Sequence, residues 1–171
     1  MKFVHIADMH FDTPFRLLSD RSNLGEIRRL DQRKAFKNKL IEKEFSFIED
    51  EGENSKIFVI TMTMGILPGM KVFLTYHDKS IIDMRCYLAL GDIEKEETQN
   101  QLIEKLNQLN FENRFVKFVV DDEDCVYGEC SFMLYGTPED AANHTTLMLY
   151  LLKVICSENI PEILNVFWDN E

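Results

Sequence analysis

Lys56-Ile-Phe-Val-Ile60-Thr-Met-Thr-Met64-Gly-Ile-Leu-Pro68-Gly69-Met70-Lys-Val-Phe-Leu-Thr-Tyr76-His77-Asp-Lys-Ser80-Ile-Ile-Asp-Met84-Arg-Cys86-Tyr-Leu-Ala-Leu90 decides the fold. Three apolar runs, residues 56–64, 70–77 and 81–90, are rich in β-branched and aromatic residues and short enough to be strands. Pro68-Gly69 marks the first reversal and His77-Asp78-Lys79-Ser80 the second, so the runs predict an antiparallel meander.

Toward the C-terminus the period changes. In residues 96–110, Leu102, Ile103, Leu106 and Leu109 fall at helical spacing behind acidic residues, which predicts a helix docked on the sheet. Residues 114–120 and 125–134 then predict a hairpin around the polar turn Asp121-Asp122-Glu123-Asp124. That turn lacks the Gly and distal Glu spacing of an EF-hand calcium loop and reads as a solvated connection. Thr137-Pro138-Glu139-Asp140 is an N-cap, a first-turn proline and two first-turn acids, so a helix starts there. Met148, Leu151, Leu152 and Ile155 form its buried stripe, Pro161 predicts an end near residue 157, and the apolar Ile163-Leu164-Asn-Val166-Phe167-Trp168 predicts a tail packed on the core or on a second subunit.

Upstream, Ile27, Leu30, Ile41, Phe45 and Ile48 among charged residues predict one long amphipathic helix over 26–50. A change in charge falls inside it: residues 1–43 hold ten Lys and Arg against six Asp and Glu, whereas residues 44–171 hold nine against twenty-four. A basic arm on an acidic body would produce that contrast, as would two sequences of different ancestry joined in a helix. Arg and Lys on an amphipathic helix usually form its solvated face, so the contrast does not by itself make a nucleic-acid arm.

The length of 171 residues suits one domain, and 45% hydrophobic residues with thirteen Phe suit a real core. The net charge of -11 argues against broad affinity for nucleic acid or an anionic membrane. The start carries no signal-peptide pattern and no apolar run reaches bilayer length, so a cytoplasmic protein without membrane attachment is expected. Cys86, Cys125, Cys130 and Cys156 form no CxxC pair and no zinc spacing with His, which predicts reduced, mostly buried thiols.

Candidate chemistry sits at the start. Residues 2–7 suit a short buried strand, and Asp8, His10 and Asp12 alternate beyond it, so that Asp8 and His10 share a face and both suit a transition metal. Paired metals of this kind orient phosphate and activate water. The run Phe3-Val-His-Ile-Ala-Asp8-Met-His10-Phe-Asp-Thr-Pro-Phe15, with Asp20-Arg-Ser-Asn-Leu-Gly-Glu-Ile-Arg-Arg-Leu-Asp-Gln-Arg33, resembles the beginning of calcineurin-like metallophosphoesterases of the bacterial DNA-repair exonuclease group. The resemblance covers about residues 1–41 and implies Asp8 and His10 as metal ligands, with a divalent metal such as manganese. It also implies later Gly-Asp, Gly-Asn-His and Gly-His blocks. Gly91-Asp92 fits a strand end entering a helix start, Asn143-His144 follows Ala142 rather than Gly and lies in a helical segment, and His5 and His77 belong to a strand and a turn. The four His of this chain do not supply the full ligand set.

The expected class is α+β, an antiparallel sheet with packed helices in the order α-βββ-α-ββ-α, preceded by the short phosphoesterase-like strand and loop. With Leu106-Asn-Gln-Leu-Asn110, Phe115-Val-Lys-Phe-Val-Val120 and the helix after Gly136-Thr137, residues 42–171 resemble the YbjN family, whose fold is similar to type III secretion chaperones. Residues 1–41 are then a truncated phosphoesterase-like segment rather than an independent domain. The resemblance implies a non-catalytic, chaperone-like or regulatory module that binds a protein partner and pairs with itself, with no catalytic residues and no cofactor. The rival expectation is a metal-dependent phosphoesterase or DNA-repair nuclease fragment using Asp8 and His10.

Overall fold

A computed structural model of the chain describes residues 24–51, 56–65, 67–77, 80–88, 96–121 and 125–168. Helix α1 (Leu24–Glu42) leads into strands β1 (Ser46–Glu51), β2 (Lys56–Met64), β3 (Leu67–Tyr76) and β4 (Ile81–Leu88). Helix α2 (Glu96–Glu112), strands β5 (Lys117–Val120) and β6 (Val126–Met133) and helix α3 (Pro138–Trp168) follow. The six strands form one antiparallel sheet in the order β1-β2-β3-β4-β6-β5. The α+β class is as expected, and the observed order has one strand more than the expected one.

The extra strand lies where a continuous helix over 26–50 is expected. The helix stops at Glu42 in a Schellman arrangement, with Phe45 N–H donated to Leu40 O (2.9 Å), Glu44 N–H to Ile41 O (3.0 Å), and Glu44 left-handed at φ 57°. A left-handed glutamate costs about 1–2 kcal/mol. Six cross-strand pairs from Ser46↔Thr61 to Glu51↔Lys56, and the packing of Phe45 and Phe47 against the core, offset it. Helical spacing of Ile41, Phe45 and Ile48 is therefore misleading, because the last two belong to extended chain. Ile48 ends up 70% exposed on the outer strand.

The first reversal also differs. The chain turns between Met64 and Leu67, with Gly65 at φ 56°, and Pro68-Gly69 lies inside β3. Met62 pairs with Met70 but Met64 with Leu67, so β3 carries one extra residue there, and Gly69 at φ 73° supplies the left-handed position of that bulge.

Strands β2, β3 and β4 alternate strictly. Phe58, Ile60, Met62 and Met64, then Met70, Val72, Leu74 and Tyr76, then Ile82, Met84, Cys86 and Leu88 turn to one face and are buried. All three helices cover that face. Phe36 of α1 meets Phe58 edge-on at 5.5 Å, α3 crosses β2, β4 and β6, and α2 packs against α3 and β5. Under β6 the sheet and helix approach closely: a Cβ on Gly128 would lie 2.7 Å from Cys156 Sγ and 3.4 Å from the Phe118 ring.

Helix α3 starts as expected. Thr137 Oγ1 accepts the Asp140 N–H (3.2 Å), and the Asp140 carboxylate accepts the Thr137 N–H (2.9 Å) and hydroxyl (2.7 Å), a reciprocal cap. Its end does not follow expectation. The helix runs through Pro161 to Trp168 as 31 residues. Proline inside a helix costs about 3 kcal/mol, whereas fully burying an Ile contributes about 1.5–3 kcal/mol. Ile160 and Ile163 are both buried, which tips the balance toward continuation. The carbonyl of Ser157, four residues before the proline, is the atom that a Cβ on Gly65 would approach to 3.1 Å, so the β2–β3 turn sits close over it. The apolar tail packs on the core through Ile163, Leu164 and Val166.

Candidate interaction surface

Alternation that buries one face of the sheet displays the other. Across the sheet, Ile48, Val59, Phe73, Arg85, Glu129 and Lys117 stand in register as one row. Ile57, Thr75, Asp83 and Ser131 stand in the next. No helix among the described residues covers these rows, and they form a shallow cleft of about 540 Å³ lined by Ile57, Phe73, Thr75, His77, Asp83, Arg85 and Tyr87.

The cleft is aromatic along its floor and ionic along its sides. Phe73 meets Tyr87 edge-on at 5.5 Å, and Tyr87 meets its cross-strand partner Tyr127 at 5.2 Å. The Arg85 guanidinium stands 5.2 Å from the Tyr127 ring centre and 3.4 Å from Glu129, so a cation–π contact and an ion pair fix one side chain. Partial burial, aided by the Glu129 carboxylate, raises the Tyr127 phenol above its ordinary range. At the opposite rim His77 Nε2 lies 2.6 Å from Asp83 Oδ2. Among the described residues no hydroxyl or thiol hydrogen-bonds to that imidazole, so the pair lacks an activated nucleophile and reads as a rim contact.

A second apolar surface lies on α3. Leu147, Tyr150 and Val154 follow one another at helical spacing and are 63%, 40% and 49% exposed, with Phe45 against Tyr150 at 5.7 Å.

Asp8 and His10, with the strand expected over residues 2–7, lie outside the described residues, as do Gly91-Asp92 and residues 122–124 of the acidic turn. Among the described residues no three His, Cys, Asp or Glu converge on a point that would hold a metal ion. His144 is in α3, as its surrounding sequence implies, with its ring against Phe132 (5.0 Å) and Tyr135 (4.9 Å). The thiols of Cys86, Cys130 and Cys156 are buried and that of Cys125 partly exposed, all unbridged. Burial pushes Cys130 up to about 12. A hydrogen bond with Cys86 and burial also raise the Cys156 thiol above its ordinary range. Strand-forming composition alone does not distinguish the open face; the alternation of Phe73, Thr75 and His77 with Val72, Leu74 and Tyr76 is the pattern that marks it.

No family model, no curated protein and no solved structure matches the chain. No helix among the described residues is long and apolar enough to cross a membrane.

Proposed function

We propose that the chain is a non-catalytic, chaperone-like protein-binding module that pairs with a second copy of itself through the open face of its sheet. The observation that carries this reading is the aromatic pair Phe73 and Tyr87, partly exposed on the open face beside Ile57 and Val59 and backed by the buried Tyr127. A chain with net charge -11 repels its own copies over most of its surface. This face balances its charges, with Arg85, Lys71 and Lys117 set among Asp50, Asp83 and Glu129, so a second copy meets apolar area without net repulsion. The α3 stripe of Leu147, Tyr150 and Val154 then serves the client protein, since an exposed helix face at that spacing suits segment capture. The likeness of residues 42–171 to the YbjN family and to type III secretion chaperones belongs to this proposal, as does a cytoplasmic setting.

Sedimentation equilibrium tests it. The expected result is a dimer whose dissociation constant rises at least about tenfold in Phe73→Arg, about 1.4 kcal/mol. A chain that stays monomeric at its solubility limit, or a dimer indifferent to both Phe73→Arg and Tyr87→Arg, would overturn the face as the pairing surface.

The second reading, a metal-dependent phosphoesterase or nuclease, rests on Asp8-Met9-His10 following an apolar run. Manganese-dependent turnover of a generic phosphodiester, abolished by Asp8→Ala, would establish it in place of the binding module.

A further inference from the structure

Strand β6 is longer than its outer neighbour. Strand β4 pairs along all of it, from Val126 to Met133, whereas β5 reaches only from Val126 to Glu129. The connection from α2 takes the chain away at that point. Lys117 Nζ donates to the carbonyls of Asn110 and Asn113 at 2.6 Å each, at the C-terminal end of α2, and Val116 is drawn into the core.

The direction of the backbone groups left over follows from one side chain. Asn110 Oδ1 accepts the Phe118 N–H (2.7 Å) and its Nδ2 donates to Phe118 O (2.9 Å), so both backbone groups of Phe118 point away from β6. Phe118↔Gly128 is therefore a pair without mutual hydrogen bonds, and Glu129, next in register, aims its groups at β5. Continuing the alternation, Ser131 and Met133 aim their N–H and C=O to the same side, past the end of β5. Leu134, one residue out of phase, donates its N–H to Ser80 O at 2.8 Å on the β4 side, which agrees. Among the described residues nothing pairs with these groups of Ser131 and Met133, and both residues are exposed. An exposed strand edge of this kind is a template for another strand. The outer margin of β5, by contrast, is filled by the Asn110 amide, and that of β1 carries Glu49, Asp50 and Glu51.

The same corner receives the start of the chain. Arg28 Nη2, one turn into α1, donates to Gly136 O at 2.7 Å, three residues beyond the end of β6. The described chain therefore begins near this edge. Residues 2–7 read as a strand in need of partners, and the sixteen residues from 8 to 23 reach up to about 50 Å when extended, ample for a return along β6. A further deficit lies here: His144, packed on Phe132 of β6, has a buried Nδ1 with no hydrogen-bond partner.

We infer that residues 2–7 of the same chain add to the sheet as a strand along residues 131–133 of β6, continuing the line of β5. The edge is separate from the open face, so this pairing and the pairing of two copies stand or fall independently. Amide hydrogen exchange in the full chain, read residue by residue by NMR, tests it. The Ser131 and Met133 amides are expected to exchange at least about a hundredfold more slowly than free peptide, at a rate independent of protein concentration. In His5→Pro, which removes a donor from the added strand, they are expected to lose that protection while the Phe58 and Met84 amides keep theirs. Fast exchange of Ser131 and Met133 in the unaltered chain overturns the proposal. So does protection that grows with concentration, which would assign the edge to a second copy. Should His5→Pro disturb the core amides as well, the same comparison in Val4→Asp, which keeps every backbone donor, decides the matter: retained protection there counts against the strand.

Discussion

The two faces of one sheet are made by alternate residues of the same strands, and they are opposite in character. Phe58, Ile60, Val72, Leu74, Met84 and Cys86 are wholly buried beneath three helices. Ile57, Val59, Phe73 and Tyr87, one residue away along each strand, meet no helix. Hydrophobicity does not separate the two sets, since both contain aromatic and β-branched residues. What separates them is that the wholly buried residues of the covered side carry no charge, its ion pair of Lys37 with Glu49 lying at the exposed rim, whereas the open side interleaves Lys71, Asp83, Arg85 and Glu129 with its aromatic residues. A face meant only for water would carry few aromatic side chains, and a face meant for the core would carry no arginine. The mixture suits a surface that is covered part of the time.

The strongest test of this contrast is Phe58→Ala. The side chain is wholly buried and touches Phe36, Phe47 and Tyr76, so its removal is expected to cost about 3–5 kcal/mol in denaturant unfolding. A loss below about 1 kcal/mol would mean that the helical layer is not packed as described.

Gly128→Ala follows at about 1–3 kcal/mol, because its new methyl would meet Cys156 Sγ at 2.7 Å between sheet and helix. Its companion Gly128→Ala/Cys156→Ala is expected to recover part of the loss, as only a contact between the two sites would allow.

On the open face the same measurement gives a different answer. Phe73→Arg is expected to change monomer stability by less than about 1 kcal/mol while weakening self-association. Equal losses at Phe58 and Phe73 would erase the distinction between the faces.

The smallest effect is a pH dependence confined to the covered side. Cys130 is pushed up to about 12 from 9.0 by burial, so the folded chain holds its proton after the unfolded chain has lost it. The contribution is complete below pH 9 and declines as pH rises toward 12. Urea midpoints at pH 8 and pH 10 are expected to fall with pH, and the slope to flatten in Cys130→Ala, with Cys125 the first thiol to react with a thiol reagent.

Much of the architecture was legible because its signals are local. The strands β2 and β4, the helix α2, the hairpin of β5 and β6 and the Thr137-Pro138 start of α3 all follow from alternation, helical spacing or a cap. Misreadings arose where a distant partner outvoted the local pattern. Ile41, Phe45 and Ile48 keep helical spacing, yet the helix closes before Phe45 and β2 draws Ile48 into an edge strand. Pro68-Gly69 has turn chemistry, yet the register with Met62 and Met70 makes it a bulge. Pro161 is a helix breaker, yet burial of Ile160 and Ile163 carries α3 through it. The candidate surface was hidden for a related reason: alternation separates Phe73 and Tyr87 from Val72, Leu74 and Cys86, and only the helices decide which set is covered.

By itself the sequence determined the class, the main strands and helices, and the short run around Asp8 and His10 that suggests metal chemistry, because each is written in spacing along the chain. The tertiary structure alone decided which face of the sheet the helices cover, that β1 exists, and that β5 stops short of the end of β6, beside the start of α1. Those outcomes depend on backbone groups and side chains far apart in sequence competing for the same partners, and no local pattern records which of them wins.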